Sequence, residues 1–323
     1  MKPKNDELYC RRNLILLGTV SLLLLGACRQ SIESGAEADL EILPVSGEVD
    51  PAREKRLFVS APWLMAQEQA ILNGEVKVVE VIGFGEKPSG RHIQGAVAIR
   101  TDEIEREPLW NLVPDDELFS ILESKGLIWN RTTIFYGKDP FAVARVVWAA
   151  SYAGLADARW LWSGVRGWTR AGGEVQSSFA TVEPSVFGRS VPAHPEYQVS
   201  TAEIKERLEK GTAEVVSVRS RLEFNGFVSG YSYIKDKGHI AGASWGGSAT
   251  GWIHRDLQKT IERAKSDLVD VSQDLSKDMV FYCGTGWRSS MAFLLARELG
   301  YESVANYDGS WLEWTQDGSN PIE

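Results

Sequence analysis

One short segment brings together a nucleophile, a pliable backbone and a cation. It runs Met279-Val280-Phe281-Tyr282-Cys283-Gly284-Thr285-Gly286-Trp287-Arg288-Ser289-Ser290. An apolar strand delivers Cys283 to the loop. Gly284 and Gly286 let the backbone curl where a Cβ would obstruct it. Such a loop can turn successive N–H groups inward as an anion-binding nest. The helix expected next adds the partial positive charge of its N-terminus, and Arg288 adds a full one. Each favours thiolate over thiol. A free Cys titrates near about 8.5, and such surroundings lower that by roughly one to several units. The same cradle suits a small anionic substrate and the anion left on a sulfur-loaded Cys. The candidate catalytic residue is therefore Cys283. Gly284, Thr285, Gly286, Trp287, Arg288 and Ser289 are candidate substrate-binding residues. Thr285 and Ser289 either hydrogen-bond a bound sulfur species or cap the helix. Trp287 either walls the pocket or covers the loop.

Elements must hold this loop in place. Val76 to Ile82, Thr132–Tyr136 and Arg159–Trp162 read as strands, with helices over Asp115 to Lys125 and Phe141 to Tyr152. Further on, Glu203–Glu209 reads as a helix, Glu214–Val218 and Met279–Tyr282 as strands, Ser290–Leu299 as a helix and Ser303–Tyr307 as a strand. Alternating strands and amphipathic helices imply a parallel sheet flanked by helices.

The pattern occurs twice. Phe281-Tyr282-Cys283 superposes on Phe135-Tyr136-Gly137 at a shift of 146 residues, and the register holds to Trp314 over Trp168. His239-Ile240-Ala241-Gly242-Ala243 echoes His92-Ile93-Gln94-Gly95-Ala96. A repeat of this length implies two copies of one domain. The first copy has Gly137 in place of Cys283 and Ala142 in place of Arg288, so it should be catalytically silent. The expected boundaries are 56–180 for the silent copy, 181–198 for a Pro-containing linker and 199–323 for the catalytic copy.

At these residues the chain resembles the rhodanese family of sulfurtransferases. Cys283 to Arg288 is similar to that family's six-residue active loop. Tyr307-Asp308-Gly309-Ser310-Trp311-Leu312-Glu313-Trp314 resembles its end motif, and Gly238 to Ala243 its Gly-His-Ile-x-Gly-Ala turn. Arg219 and Glu223 resemble the Arg and Glu after its first core strand, and are read as a buried pair. The resemblance implies an α/β fold of two tandem rhodanese-like domains, each a five-stranded parallel sheet flanked by helices. It implies a persulfide on Cys283, a small anionic sulfur donor (thiosulfate, 3-mercaptopyruvate or polysulfide), a thiol or cyanide acceptor, and no metal or organic cofactor. Two features depart from the pattern. Ser217 stands where the family has Asp. The stretches Asn225–Lys237 and Gly246–Trp252 are long enough to reshape the pocket mouth.

The sharpest rival is a Cys-based phosphatase, whose loop resembles Cys-x5-Arg. Here four residues separate Cys283 from Arg288, which makes a tighter cradle, better suited to sulfur than to tetrahedral phosphate. A third reading is a non-enzymatic module that binds a partner or senses redox state. His92 and His239 fall in the repeated turn, where structural hydrogen bonding is the expected role.

The N-terminus reads as an address. Lys2, Lys4, Arg11 and Arg12 precede an uncharged apolar run from Leu14 to Gly26. That run is shorter than the roughly 20 residues a membrane span needs, but it suits a signal-peptide core. Leu25-Gly26-Ala27-Cys28 resembles a bacterial lipobox, implying lipidation at Cys28 and a periplasm-facing lipoprotein, with the signal at 1–28 and a polar tether over 29–55. Of the three Cys, Cys10 would leave with the signal, so Cys283 would be the one free thiol. The formal charge of -9 argues against a general nucleic-acid binder. Protein partners are not legible.

Overall fold

The computed structural model describes residues 57–271 and 277–323. The signal, lipobox and tether expected over residues 1–55 lie outside the described residues. So does Cys28, the expected lipid site. The described residues belong to one compact unit.

The first half contributes strands β1 (Phe58–Val59), β2 (Lys77–Ile82), β3 (Val97–Arg100), β4 (Thr133–Gly137) and β5 (Ala158–Leu161). They lie in the order β1-β5-β4-β2-β3, every neighbouring pair parallel. The second half contributes β6 (Gln198–Val199), β7 (Ala213–Ser217), β8 (Ser244–Trp245), β9 (Asp278–Tyr282) and β10 (Val304–Tyr307). Their order is β6-β10-β9-β7-β8, again parallel throughout. The fold is α/β, two five-stranded parallel sheets of identical strand order. Parallel strands need crossovers, and helices supply them while covering both faces.

The helices that matter to the site are α1 (Asp115–Ser124), α2 (Pro140–Ala153), α3 (Thr201–Lys210), α4 (Arg221–Phe224), α5 (Leu257–Val271) and α6 (Trp287–Leu299). Alpha-helical stretches α2 and α6 are repeat equivalents, and they pack directly on each other. Nine residues of α6 and eleven of α2 are buried, so neither has a solvent face of ordinary width. A helix buried over most of its surface needs cover from other elements, and here each half supplies part of the cover for the other's helix. One continuous core runs through both halves, with Phe135, Val147 and Trp148 in the same cluster as Phe281, Cys283 and Leu295.

Among the described residues, no helix is long and apolar enough to cross a membrane. The repeated-turn histidines are structural. His92 Nδ1 lies 2.7 Å from Glu80 Oε2, which also accepts from the Tyr136 hydroxyl at 2.8 Å. His239 Nδ1 lies 2.9 Å from the Phe224 carbonyl oxygen.

Candidate active site

β9 lies between β7 and β10, so Cys283 leaves the sheet at its buried centre. Gly286 then adopts φ +88° and serves as the N-cap of α6. That left-handed turn lets the helix begin at Trp287, three residues before the apolar periodicity suggested. The consequence is chemical: the N-terminus of α6 is brought against the thiol.

Cys283 has no solvent exposure, and its Sγ is surrounded by donors. The backbone N–H groups of Thr285 and Ser289 point at it. Ser289 Oγ lies 3.6 Å from Sγ and 3.0 Å from the Gly286 carbonyl oxygen, so its one proton can serve either acceptor. Burial alone would push the thiol up. The Arg288 charge, the Ser289 hydroxyl and the two amides outweigh that, and the thiol is held below its ordinary value. Of the loop residues named from the sequence, Thr285, Arg288 and Ser289 act on the Cys283 thiol.

Two expectations are corrected. Arg219 and Glu223 do not pair. Arg219 instead directs Nη2 to the Gly238 carbonyl oxygen at 2.5 Å and Nε to Ser217 Oγ at 3.4 Å, and it stacks on Trp311. Glu223 takes both terminal nitrogens of Arg288, each at 2.8 Å. A buried guanidinium needs a counterion to offset its desolvation, and Glu223 supplies it. Arg288 thus acts on Cys283 as a charge held in place by Glu223, while its buried Nε has no hydrogen-bond partner among the described residues. Burial pushes Glu223 up, but the hydrogen bonds and charge of Arg288, with help from Ser220, hold it at about 2. The second correction concerns the long segments. Asn225–Lys237 does reach the loop, but Gly246–Trp252 packs toward α5, where Trp252 Nε1 donates to Asp267 at 2.7 Å.

Several contributors were not foreseen. Tyr231 lies over Gly284 so closely that an added Cβ would fall 2.2 Å from its Cε2. Gly284→Ala is expected to displace the loop or the ring and slow turnover by up to about 100-fold, since small misplacements at a reacting centre have that scale of effect. Steady-state rates of Gly284→Ala alone and combined with Tyr231→Ala check this, the second change being expected to restore part of the loss. Ser310 holds φ +51°, and its Oγ accepts from the Cys283 N–H at 3.1 Å. Strain of this kind persists where surrounding structure over-determines it. Trp287 Nε1 donates to Glu105 of the first half at 2.9 and 3.0 Å.

The equivalent turn of the first half is occupied by its own carboxylate. Asp139 Oδ1 accepts the Phe141 N–H at 2.8 Å, where α2 begins. Gly137 has no room for a side chain: a Cβ would lie 2.6 Å from the Val81 carbonyl oxygen and 2.7 Å from Val143 Cγ2. Gly137→Cys is therefore expected to destabilise the fold by about 1–3 kcal/mol, as overpacking does, without creating a second reactive thiol. Urea unfolding and site-resolved alkylation measure the two effects.

A thiolate held by amides and a fixed cation, at the buried end of a parallel strand, is the site of a Cys-dependent group-transfer enzyme. The comparisons narrow that class. The model of the rhodanese-like domain matches residues 200–317. The thiosulfate sulfurtransferase YnjE of Escherichia coli (strain K12) is 39% identical over 294 residues, covering 84% of this chain and 67% of that protein. A thiosulfate sulfurtransferase of Corynebacterium glutamicum is 30% identical over 275 residues, covering 82% of this chain and 90% of that protein. The crystal structure of YnjE superposes with a TM-score of 0.71 at 34% identity, covering 84% of this chain and 70% of that one. A structure of EanB in complex with hercynine superposes at 0.74 with 29% identity, covering 83% and 69%. The chain belongs to the rhodanese family of sulfurtransferases. It is a transferase of the thiosulfate sulfurtransferase-like type.

Proposed function

We propose that the protein moves sulfane sulfur from a small anionic donor, thiosulfate or 3-mercaptopyruvate, to a thiol or cyanide acceptor through a persulfide on Cys283. The Cys283 thiolate attacks the outer sulfur of the donor. The new S–S bond takes that sulfur, and the bond to the rest of the donor breaks with its electron pair leaving on the departing group, sulfite in the case of thiosulfate. The acceptor then attacks the same outer sulfur, and Cys283 departs as thiolate. This is double displacement with a covalent intermediate. The observation that carries the reading is the cradle at Sγ: amides of Thr285 and Ser289 with the Arg288 charge behind them. The same groups would stabilise the persulfide anion. A variant of EanB has been solved in a Cys-persulfide state with ergothioneine, which supports such an intermediate on this fold. No cofactor enters the scheme.

Thiocyanate formation from thiosulfate and cyanide, run beside hydrolysis of an aryl phosphate, tests the reading. Thiocyanate formation alone supports it. Phosphate release alone overturns it in favour of the phosphatase, and neither product favours a binding module.

The first half (56–180), joined by the linker (181–198), is proposed to be a silent partner of the catalytic half (199–323). We propose further that the chain is exported and lipidated at Cys28, facing the periplasm. The support is the basic, apolar and small-residue order of residues 2–28. Loss of labelled-palmitate incorporation in Cys28→Ala tests the anchor.

A further inference from the structure

Arg145 is the single charge in the otherwise uncharged stretch Phe141–Ala153. It sits on α2 of the first half, with no exposure. Its Nε donates to Glu105 Oε2 at 3.2 Å, and its Nη2 to the Trp110 carbonyl oxygen at 3.1 Å. Its Nη1 crosses to the other half and pairs with Asp308 Oδ1 at 2.5 Å. Asp308 follows β10, and its Oδ2 in turn accepts the Leu112 N–H of the first half at 2.7 Å. Arg145 also meets the candidate loop itself. A Cβ on Gly286 would lie 2.8 Å from Nη1 and 3.0 Å from the Asp308 carbonyl oxygen. Glu105, bound to Arg145 on one side, holds the loop's Trp287 indole on the other. So a first-half carboxylate holds Trp287 by hydrogen bonds, and a first-half guanidinium packs beside Gly286, the residue before it in the loop that carries Cys283.

We propose that Arg145 is a positioning residue of the active loop: the half without a nucleophile uses it to set both the geometry of Gly286-Trp287 and the positive field at Cys283. The inference rests on Cys283 being the reacting thiol. It explains why a helix buried against α6 carries a guanidinium at a cost in desolvation that an apolar residue would avoid. The field is not that of Arg145 alone. Besides Arg145, Cys283 is faced by Arg288, whose partner is Glu223, and by Tyr231 and Tyr233 from the segment over the loop. Glu105 is faced by Arg145 and Asp308, and burial raises it to about 7. Near neutral pH Glu105 therefore carries about half its charge, and it opposes Arg145 fully only above that range.

Opposite charges give opposite signs to the test. Site-resolved iodoacetamide labelling of Cys283 in the full chain, followed against pH, reads the thiol directly and needs no sulfur donor. Arg145→Gln is expected to move the midpoint up by about one unit, slowing labelling below it about tenfold. Arg145→Lys is expected to stay near the parent. Glu105→Gln, which keeps an acceptor for the Trp287 indole, is expected to move the midpoint down. Unchanged midpoints, or a shift in the same direction for Arg145→Gln and Glu105→Gln, overturn the proposal, since a merely structural role has no charge sign. If Arg145→Gln does not fold, Glu105→Gln decides alone, and an unmoved or raised midpoint overturns it. A parent protein that labels normally but forms no persulfide would sink the transfer mechanism and leave this inference standing.

Discussion

Cys283→Ser is expected to lower thiosulfate:cyanide sulfur transfer by a factor on the order of 10³ or more, the scale seen when a covalent nucleophile is removed. A serine fits the same space, so the fold should survive. The hydroxyl fails for two reasons. It is not ionised near neutral pH by a cradle tuned to a thiol, and oxygen does not carry a sulfane sulfur as persulfide. The cradle also has a specific limit. Burial opposes ionisation at this position, and the donors overturn it for sulfur, an intrinsically acidic and polarisable atom. Initial rates with thiosulfate, with circular dichroism as the folding check, measure the loss. Retained turnover in the serine variant would remove Cys283 from the mechanism.

The second large effect belongs to Arg288 and Glu223. Arg288→Ala should cost about 3–5 kcal/mol, because it strands the buried Glu223 carboxylate. Glu223→Ala should cost a similar amount by stranding the guanidinium. Their effects on the thiol should diverge. Removing Arg288 takes away the largest charge favouring thiolate and leaves an anion nearby, so the thiol midpoint rises. Removing Glu223 leaves the cation unopposed, so the midpoint falls. Urea denaturation and pH-resolved alkylation separate stability from ionisation. The pair also has a pH signature. Glu223 titrates at about 2 when folded, below the ordinary 4.5. Its stabilisation is therefore complete above about 4.5 and is lost as the pH falls toward 2. Glu223→Gln should be less stable at neutral pH and lack that acid-dependent decline.

Much of this was legible in the chain because local pattern encodes local structure. The apolar run before Cys283, the two loop glycines and the apolar helix after them specify a strand, a tight turn and a buried helix. The repeat carried the identical strand order of the two sheets, and Gly137 and Ala142 stand where the second half has Cys283 and Arg288. What escaped depends on distant partners. Either Arg219 or Arg288 could pair with Glu223 by residue type, and only the fold, which sends Arg219 to the Gly238 carbonyl oxygen, decides between them. Tyr231 lies in an irregular segment whose residues carry no periodicity, so its place over Gly284 has no local signature. Ser310 was visible as part of an end motif, but its left-handed backbone was not. Arg145 did leave a trace, as a lone charge in an apolar helix, and such a residue signals a buried partner.

The most direct test is the mass of the purified full-length protein after incubation with thiosulfate, with digestion to locate the change. A persulfide intermediate predicts a gain of about 32 Da, one sulfur atom, on the peptide holding Cys283, and its loss on addition of cyanide. A turnover-competent protein with no gain on that peptide, or with the gain on another residue, would contradict it.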